Sequence, residues 1–304
     1  MRDAKFGVFV HYLHSLQNSK QPWNSGKITT WDECVNDFDT EKFAEQVSSI
    51  GVKYVIFTIQ QGDRYFCLPN SYYEKLTGFK RGSATSNRDL INDLFQSLNK
   101  RSIKLILYAT GDGVSKDRLA AEKLDNPVLH TKQNGEKFIV NEKWVLTWSS
   151  ILKDISKRYG KKISGWWFDG TYSFIGYNNY YLSILKRAVK AGNSNAIVAF
   201  NKAPQKQIEY YSNLDDYTAG ESDVISTLPP KDGMINGVQW HLLTYVGKYW
   251  AEKGCRFDNT TLSMFMQNVK ERKGVVTFDI FVNRHGKLDI EQYKQLKMLF
   301  KNEK

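Results

Sequence analysis

The sequence predicts a single (β/α)8 barrel of the TIM type, an α/β fold, over residues 1–304. Short apolar runs rich in β-branched and aromatic residues alternate with stretches of helical periodicity along the whole chain. A length of about 250 to 300 residues is typical of such a barrel. The chain has six prolines and no Gly/Ser-rich linker. It therefore favours one domain over a string of smaller ones.

Four strands and three helices are predicted in the first part of the chain. The predicted strands are Phe6–His11, Tyr54–Thr58, Lys104–Tyr108 and Gly165–Asp169. The predicted helices are Thr40–Ile50, a segment from Leu90 to Leu98, and Trp144–Tyr159. In the first helix the apolar residues Phe43, Val47 and Ile50 recur every three or four positions, which places them on one face.

The second part of the chain continues the alternation less regularly. A helix is predicted at Tyr180–Ala191, and a last helix opens with Asp289, with Gln292 at the spacing of a capping box. The predicted strands are Ala196–Phe200, a short sixth strand ending near Tyr217, a seventh at Gly237–Leu243 and an eighth at Val275–Val282. This makes eight strands, as an α/β barrel requires.

The most informative segment is the strand that ends at Asp169. It is apolar and aromatic up to its last position, where a carboxylate is followed at once by Gly170. A carboxylate is costly inside a strand unless it is paired, so at the strand end it is expected to point into a site. Glycine permits the sharp turn that such a site needs. Trp166 and Trp167 add flat apolar surfaces on which sugar rings can pack, which indicates glycosidic chemistry.

Polar and aromatic residues recur at the other predicted strand ends. In an α/β barrel the active site lies at the carboxyl ends of the strands, so these side chains are expected to converge. Each alone has a structural explanation, such as a buried histidine or a turn-forming aspartate. Together they favour a binding or active site. The residues are His11, Gln60, Gln61, Asp63, Asp112, Asp169, Asn201, Glu221, Trp240, His241 and Asp279.

Charge and composition exclude several function classes. The net charge of +11 comes mostly from lysines spread along the chain, which indicates a solvated surface and no nucleic-acid partner. There is no run of eighteen apolar residues, hence no predicted membrane span. The three cysteines lack metal-ligand spacing, and neither a metal nor a cofactor is predicted. We expect a secreted or periplasmic protein if a leader has been removed, and a cytoplasmic one otherwise.

Several segments resemble family 29 glycoside hydrolases, the α-L-fucosidases, over nearly the whole chain. Lys5-Phe-Gly-Val-Phe-Val-His11 is similar to the family's opening strand, and Gly51-Val-Lys-Tyr-Val-Ile-Phe-Thr58 to its G-A-K-Y strand. Trp167-Phe-Asp169-Gly170 matches the nucleophile strand, W-F-D-G. Asp216-Tyr-Thr-Ala-Gly-Glu221 is similar to the D-Y/W-x-T-P-E stretch, and Gly274–Val282 to the last strand. The resemblance implies an α/β barrel that acts on a glycan or glycoside.

The chain departs from the family pattern mainly where that pattern binds sugar. The family's two histidines after the second strand are Gln60 and Gln61 here, although Asp63 is kept. After the fifth strand the N-D-R pattern becomes Asn201-Lys202-Ala203, and in the seventh strand His241 replaces an acid after Trp240. Asp279 stands where asparagine is usual. The predicted substrate is therefore a terminal fucose or a related sugar, and the replacements favour a differently substituted sugar over plain fucose.

The resemblance also implies roles in a retaining mechanism. Asp169 would be the nucleophile and Glu221 the acid/base, with His241 and Asp279 as alternative acid/base groups. Sugar contacts are expected from the remaining strand-end residues: His11, Gln60, Gln61, Asp63, Trp167, Asn201, Trp240 and His241. The leading hypothesis is a retaining exo-glycosidase, and the alternative is a carbohydrate-binding barrel with weak or no catalysis.

Overall fold

Seven parallel strands form the central sheet of the protein. The computed structural model describes residues 1–127 and 139–300. In sequence order the strands are β1 (Phe6–Val10), β2 (Tyr54–Thr58), β3 (Lys104–Thr110), β4 (Ile163–Asp169), β5 (Ile197–Phe200), β6 (Met234–Ile235), β7 (Val238–Gln239), β8 (His241–Tyr245) and β9 (Val275–Asp279). The sheet has the order β5-β4-β3-β2-β1-β9-β8, and β6 and β7 form a separate antiparallel pair.

Helices follow most of the strands in the described part of the chain. They are α1 (His14–Gln17), α2 (Trp31–Asn36), α3 (Thr40–Ile50), α4 (Ser71–Thr77), α5 (Leu90–Asn99), α6 (Arg118–Lys123), α7 (Glu142–Tyr159), α8 (Asn179–Val189), α9 (Asn259–Glu271) and α10 (Ile290–Phe300). The predicted helices correspond to α3, α5, α7, α8 and α10. In the described residues, no helix has the length and apolar character needed to cross a membrane.

An extended but irregular segment, residues 215–222, lies between β5 and β8. On one side the backbone N–H of Asp216 donates to the carbonyl of Val198 at 2.8 Å. On the other side the N–H of Ser222 donates to the carbonyl of Leu243 at 2.9 Å, and Leu243 donates to Gly220 at 2.9 Å. This segment occupies the position of the predicted sixth strand without forming a regular one. The fold is therefore (β/α)8-like, with seven regular parallel strands in the described residues.

The predicted bounds of the seventh and eighth strands were wrong. The N–H of Trp240 donates to the carbonyl of Gly233 at 2.8 Å, so the chain enters the sheet only at His241. β8 then continues to Tyr245, beyond the predicted end at Leu243. β9 stops at Asp279, three residues earlier than predicted. The capping box was only half right: Asp289 accepts the N–H of Gln292 at 3.2 Å, whereas the Gln292 side chain bonds elsewhere.

The barrel interior is filled by its own cluster of buried side chains. It contains aromatic residues from several strands, among them Phe9, Tyr54, Tyr108 and Trp167. Gly7 leaves room for the Tyr54 ring, because a Cβ on Gly7 would lie 2.4 Å from it. A second and larger cluster packs the outside of the sheet against the helices. The interior is thus solid at one end, and open space is left at the carboxyl ends of the strands.

Candidate active site

Asp169, the last residue of β4, is held by four hydrogen-bond donors. Its Oδ1 accepts from the Gly170 N–H at 2.8 Å, the Tyr172 hydroxyl at 2.6 Å and the Asn201 amide at 3.1 Å. Its Oδ2 accepts from the Tyr108 hydroxyl at 2.8 Å. Burial and the Asp169 charge keep the pKa of Tyr108 well above its ordinary value, so this hydroxyl remains a donor. The carboxylate is accordingly oriented as a pure acceptor.

The turn after Asp169 depends on glycine. Gly170 has φ 58°, and a Cβ there would lie 2.4 Å from Oδ1 of Asp112. A larger residue would be strained in this conformation and would clash with the partly buried carboxylate of Asp112. The tight turn predicted from the sequence is therefore present, and it brings Tyr172 back to the Asp169 carboxylate.

Glu221 lies at the end of the irregular segment and faces the same pocket as Asp169. Burial, reinforced by the negative charge of Asp169, raises the pKa of Glu221 to about 8, although the hydrogen bond from Asn201 opposes this shift. A carboxylic acid with such a pKa is mostly protonated at neutral pH. It has the state that a proton donor needs.

Asn201, the residue after β5, connects the two carboxyl groups. Its Nδ2 lies 3.1 Å from Oδ1 of Asp169 and 2.5 Å from Oε2 of Glu221. Oδ1 of Asp169 and Oε2 of Glu221 are therefore no farther apart than the sum of these two distances. Retaining glycosidases hold their two carboxyl groups about 5 to 5.5 Å apart, whereas inverting enzymes need a larger gap for a water molecule. The geometry is compatible with retention.

His11 lies beyond the end of β1 and is oriented by Asp279 at the end of β9. Its Nδ1 is 2.7 Å from Oδ1 of Asp279, and the second oxygen of Asp279 accepts the N–H of Ala251 at 2.6 Å. Asp279 is almost fully buried. With Nδ1 committed to this carboxylate, Nε2 remains for the pocket that His11 lines. Asp279 thus positions His11 and does not itself face the pocket.

The pocket has a volume of about 320 Å³ and is partly aromatic. Trp167 is stacked on Tyr108, with ring centroids 5.4 Å apart, and its Nε1 donates to the carbonyl of Ala219 at 3.0 Å. Trp166 faces the helices and belongs to the outer core. The strand-end residues brought together in the pocket are His11, Gln61, Trp167, Asp169 and Glu221, with Asn201 hydrogen-bonded to the last two.

Gln60, Asp63 and Asp112 lie outside the residues that line the pocket. The Gln60 amide donates to the carbonyls of Asp63 and Gly113, both at 2.8 Å, and is buried. The Asp63 carboxylate accepts the N–H of Tyr65 at 3.1 Å. Burial raises the pKa values of Asp63 and Asp112 to about 6. These three residues hold the loops after β2 and β3 in place.

The prediction that Trp240 and His241 lie at a strand end beside the pocket was wrong. His241 is the first residue of β8 and pairs with Val275, whereas Tyr245 pairs with Asp279. It lies four residues, or about 13 Å, from the carboxyl end of the strand. Its ring contacts the Thr218 carbonyl and the Thr277 hydroxyl, and burial lowers its pKa to about 4. Trp240 packs in the outer core.

Several pocket residues were not predicted from the sequence. They include Tyr108 inside β3, Lys116 in the loop after it, and Tyr249 and Trp250 in the loop after β8. Tyr108 lies opposite Trp167 in the sheet and on the interior face, a position that strand alternation could have indicated. The aromatic pair Tyr249-Trp250 would have been recognised only with the correct end of β8.

No metal centre is indicated by the described side chains. Within residues 1–127 and 139–300, no three His, Cys, Asp or Glu side chains converge in a way that could hold a metal ion.

The family of the chain follows from a comparison of the whole sequence with models of known protein families. The model of the alpha-L-fucosidase family matches residues 28–299. The chain belongs to the alpha-L-fucosidase family. The resemblance expected from the strand motifs is thereby confirmed. No curated protein sequence matches this family member significantly.

Solved structures with the same fold include fucosidases and endo-fucoidan hydrolases. An endo-fucoidan hydrolase of glycoside hydrolase family 107 has a TM-score of 0.73 at 13% identity, covering 97% of this chain and 52% of its own. A bacterial fucosidase bound to a pyrrolidine inhibitor has a TM-score of 0.67 at 16% identity, and the match covers 99% of this chain and 71% of the fucosidase. The family 29 α-L-fucosidase of Bacteroides thetaiotaomicron has a TM-score of 0.61 at 14% identity, and the match covers 99% of this chain and 71% of that enzyme. The chain described here spans about half the length of the endo-fucoidan hydrolase that it matches.

Proposed function

We propose that this member of the alpha-L-fucosidase family is a retaining exo-glycosidase that removes a terminal fucose or a related sugar. The observation that carries the proposal is the pair of carboxyl groups, Asp169 and Glu221, joined through the amide of Asn201. One is held as an acceptor by four donors, and the other has a pKa raised to about 8. Two carboxyl groups in different protonation states are what a nucleophile and a general acid require.

In the proposed first step, a carboxylate oxygen of Asp169 attacks the anomeric carbon of the bound sugar. The glycosidic bond breaks, and the leaving oxygen takes the proton of Glu221. The products are a glycosyl ester on Asp169 and a free alcohol. In the second step the ionised Glu221 takes a proton from water, which attacks the anomeric carbon. The ester bond breaks, and both carboxyl groups return to their starting states.

Sugar binding is assigned to the side chains that line the pocket. His11, fixed by Asp279, offers Nε2 to a hydroxyl, and Gln61 offers an amide. Trp167 and Trp250 supply apolar surface for a sugar ring. Gln61, which lines the pocket, replaces a family histidine, and this supports a sugar related to fucose but differently substituted.

Two structural points belong to the same proposal. We count residues 215–222 as the sixth strand of a closed eight-stranded barrel, since they hydrogen-bond to Val198 on one side and Leu243 on the other. We also treat residues 1–304 as one catalytic domain. The interior cluster, which draws side chains from strands across the chain, supports a single core.

The central test compares wild type with Asp169→Asn on a panel of aryl glycosides. The amide is nearly isosteric but a far poorer nucleophile, so turnover should fall by several orders of magnitude while the thermal midpoint stays close to wild type. Asp112→Asn is the matched control, because Asp112 is partly buried next to Gly170 but does not line the pocket. It should keep activity. The anomeric configuration of the first product, followed by NMR, should be that of the substrate.

Glu221→Gln tests the second carboxyl group. With an activated aryl leaving group it should slow hydrolysis of the ester more than its formation, and added azide should partly restore turnover.

Equal rates for wild type and Asp169→Asn would remove Asp169 from the mechanism. If wild type binds sugars but cleaves none of the panel, the protein is a carbohydrate-binding barrel.

A further inference from the structure

The segment that carries Glu221 has few backbone bonds to its neighbours. Residues 215–222 make isolated bridges to the chain around β8 in place of a continuous ladder. Near Glu221 the N–H of Leu243 donates to Gly220 and the N–H of Ser222 donates to Leu243, both at 2.9 Å. The proposed acid/base group is therefore not held by a regular strand. What holds the chain just beyond Ser222 decides how firmly the Glu221 side chain is placed.

Arg256 supplies that attachment from the far end of the loop after β8. Its Nη1 donates to the carbonyl of Asp223 at 2.6 Å, two residues after Glu221. Its Nε donates to the carbonyl of Tyr245 at 2.8 Å and its Nη2 to the hydroxyl of Thr244 at 2.7 Å, both at the end of β8. One guanidinium therefore joins the chain after Glu221 to the strand beside it.

The guanidinium of Arg256 is itself fixed in place. The backbone N–H of Arg256 donates to the carbonyl of Val246 at 2.9 Å, which closes the loop. Its guanidinium carbon lies 3.6 Å from the ring centroid of Tyr245 and 4.2 Å from that of Phe257, and such contacts stabilise a cation. Its three acceptors are uncharged oxygens, and it forms no ion pair with a carboxylate among the described residues. The site therefore uses the planar fork of donors, which a lysine lacks.

The position of Glu221 controls its protonation. Burial is the largest cause of its raised pKa of about 8, and the charge of Asp169 is the next. Both causes weaken if the segment moves outward, because the carboxyl group then meets more water and lies farther from Asp169. Loss of the hydrogen bond from Asn201 would act in the opposite direction, but it is the smaller cause. Release of the segment should therefore lower the pKa of Glu221.

A direct electrostatic effect of Arg256 on Glu221 would have the opposite sign. Removing a cation from the neighbourhood of a carboxyl group raises the pKa of that group, whereas release of the segment lowers it. The direction of the shift therefore separates the two effects. The titratable groups that surround Glu221, and that an Arg256 variant leaves unchanged, are Asp169, Tyr172, Asp223, His11, Tyr108, Lys116 and Tyr249.

We propose that Arg256 is a positioning residue that clamps the segment carrying Glu221 to the end of β8. The inference rests on the proposed glycosidase function and deepens it, because it adds a residue outside the pocket on which the acid/base group depends. Arg256 does not line the pocket. It acts on Glu221 through the backbone of Asp223.

The test compares wild type with Arg256→Met, which keeps an unbranched stem but has no donors, on phenyl and 4-nitrophenyl α-L-fucosides. For the phenyl glycoside, a poor leaving group, kcat/KM should fall about tenfold, since a small misplacement of a reacting group is costly. Its alkaline limb near pH 8 should move down by about one pH unit. For the nitrophenyl glycoside, kcat/KM should stay within about threefold of wild type, because a good leaving group needs little protonation. Retained activity on it shows that the variant is folded.

Arg88→Met is the matched control. Nη1 of Arg88 also donates to backbone carbonyls, those of Val35, Asn36 and Phe38, and Arg88 is half-buried but does not line the pocket. This variant should lower the thermal midpoint and leave both rates and the alkaline limb unchanged. Arg256→Lys keeps the charge without the fork, so it should behave like Arg256→Met and replaces it if that variant does not fold.

An alkaline limb that stays in place or moves upward in Arg256→Met would overturn the proposal while the glycosidase function stands. So would wild-type behaviour of Arg256→Lys, which would make the charge responsible and not the fork. If wild type cleaves neither glycoside, the proposed function fails, and NMR titration of the Glu221 carboxyl group, isotope-labelled at glutamate, decides the positioning role. A lower pKa of Glu221 in Arg256→Met than in wild type would support the role, and an equal or higher one would overturn it.

Discussion

The hydroxyl of Tyr108 donates to Oδ2 of Asp169 at 2.8 Å, and it is the sole donor to that oxygen among the described residues. The other three donors all reach Oδ1. Tyr108 lies on β3 and Asp169 at the end of β4, so a contact between neighbouring strands sets the direction in which Oδ2 points. The tyrosine is itself held by stacking on Trp167.

Tyr108→Phe should therefore lower kcat by about ten- to a hundredfold, the loss expected for one hydrogen bond to a charged group. KM should change less, because the ring and its stacking remain. Steady-state kinetics on an aryl glycoside measure both. Tyr54→Phe is the matched control: Tyr54 also faces the barrel interior, but its hydroxyl bonds Thr277 at 2.6 Å. It should lower the thermal midpoint and leave kcat unchanged. The opposite pattern would argue against a role for Tyr108 at the nucleophile.

The pH dependence of kcat/KM should report the protonation of Glu221. Its pKa is raised to about 8 by burial and by the charge of Asp169. The proton donor is present below this pH and absent above it, so kcat/KM for a substrate with a poor leaving group should fall about tenfold per pH unit above 8. The Asn201 hydrogen bond lowers this pKa. Asn201→Ala should thus move the alkaline limb to higher pH while reducing kcat. A limb that stays in place in this variant would assign it to another group.

Asp279→Asn should weaken substrate binding through His11. The Asp279 carboxylate accepts from both His11 and the Ala251 N–H, whereas an asparagine has one acceptor oxygen and cannot serve both donors. We expect kcat/KM to fall about tenfold, the effect of a lost charge-assisted hydrogen bond. Combining the change with His11→Gln should add little further loss, because both act through one contact. Full additivity in this double-mutant cycle would show that Asp279 acts independently of His11.

His241 should make folding stability fall in acid. Burial lowers its pKa to about 4 from the ordinary value of 6.5, so the unfolded chain binds a proton more readily than the folded protein. The stability that the neutral histidine contributes is complete above pH 6.5 and is lost as pH falls toward 4. At pH 5 the loss amounts to about 2 kcal/mol. Other groups titrate as well, so the measured quantity is the difference in unfolding free energy between wild type and His241→Gln. This difference should become less favourable to wild type between pH 8 and pH 5. A pH-independent difference would contradict a neutral, buried His241.

Local sequence patterns were sufficient for the elements whose environment is uniform. Helix α3 has the predicted bounds Thr40–Ile50, since one apolar face and a capping Asp39 act within a few residues. Strand β4 ends at Asp169 as predicted, because a buried apolar run followed by Asp-Gly leaves one place for the turn. The family resemblance, too, was correct as far as membership goes.

Only the tertiary structure decided which strand-end residues reach the pocket. The sequence predicted a strand over Gly237–Leu243 with His241 near its carboxyl end, whereas in the structure the strand begins at His241. The difference is set by the hydrogen bond from Thr218 to Gln239 and by the pairing of His241 with Val275, both between residues more than twenty positions apart. A shift of this kind moves a histidine from the pocket to the opposite end of the barrel. The same holds for Tyr108, whose role at Asp169 depends on the register between β3 and β4. The sequence by itself determined the barrel-like order of elements and the position of Asp169, because these depend on local apolar periodicity. The composition of the pocket was decided by long-range pairing, which no local pattern encodes.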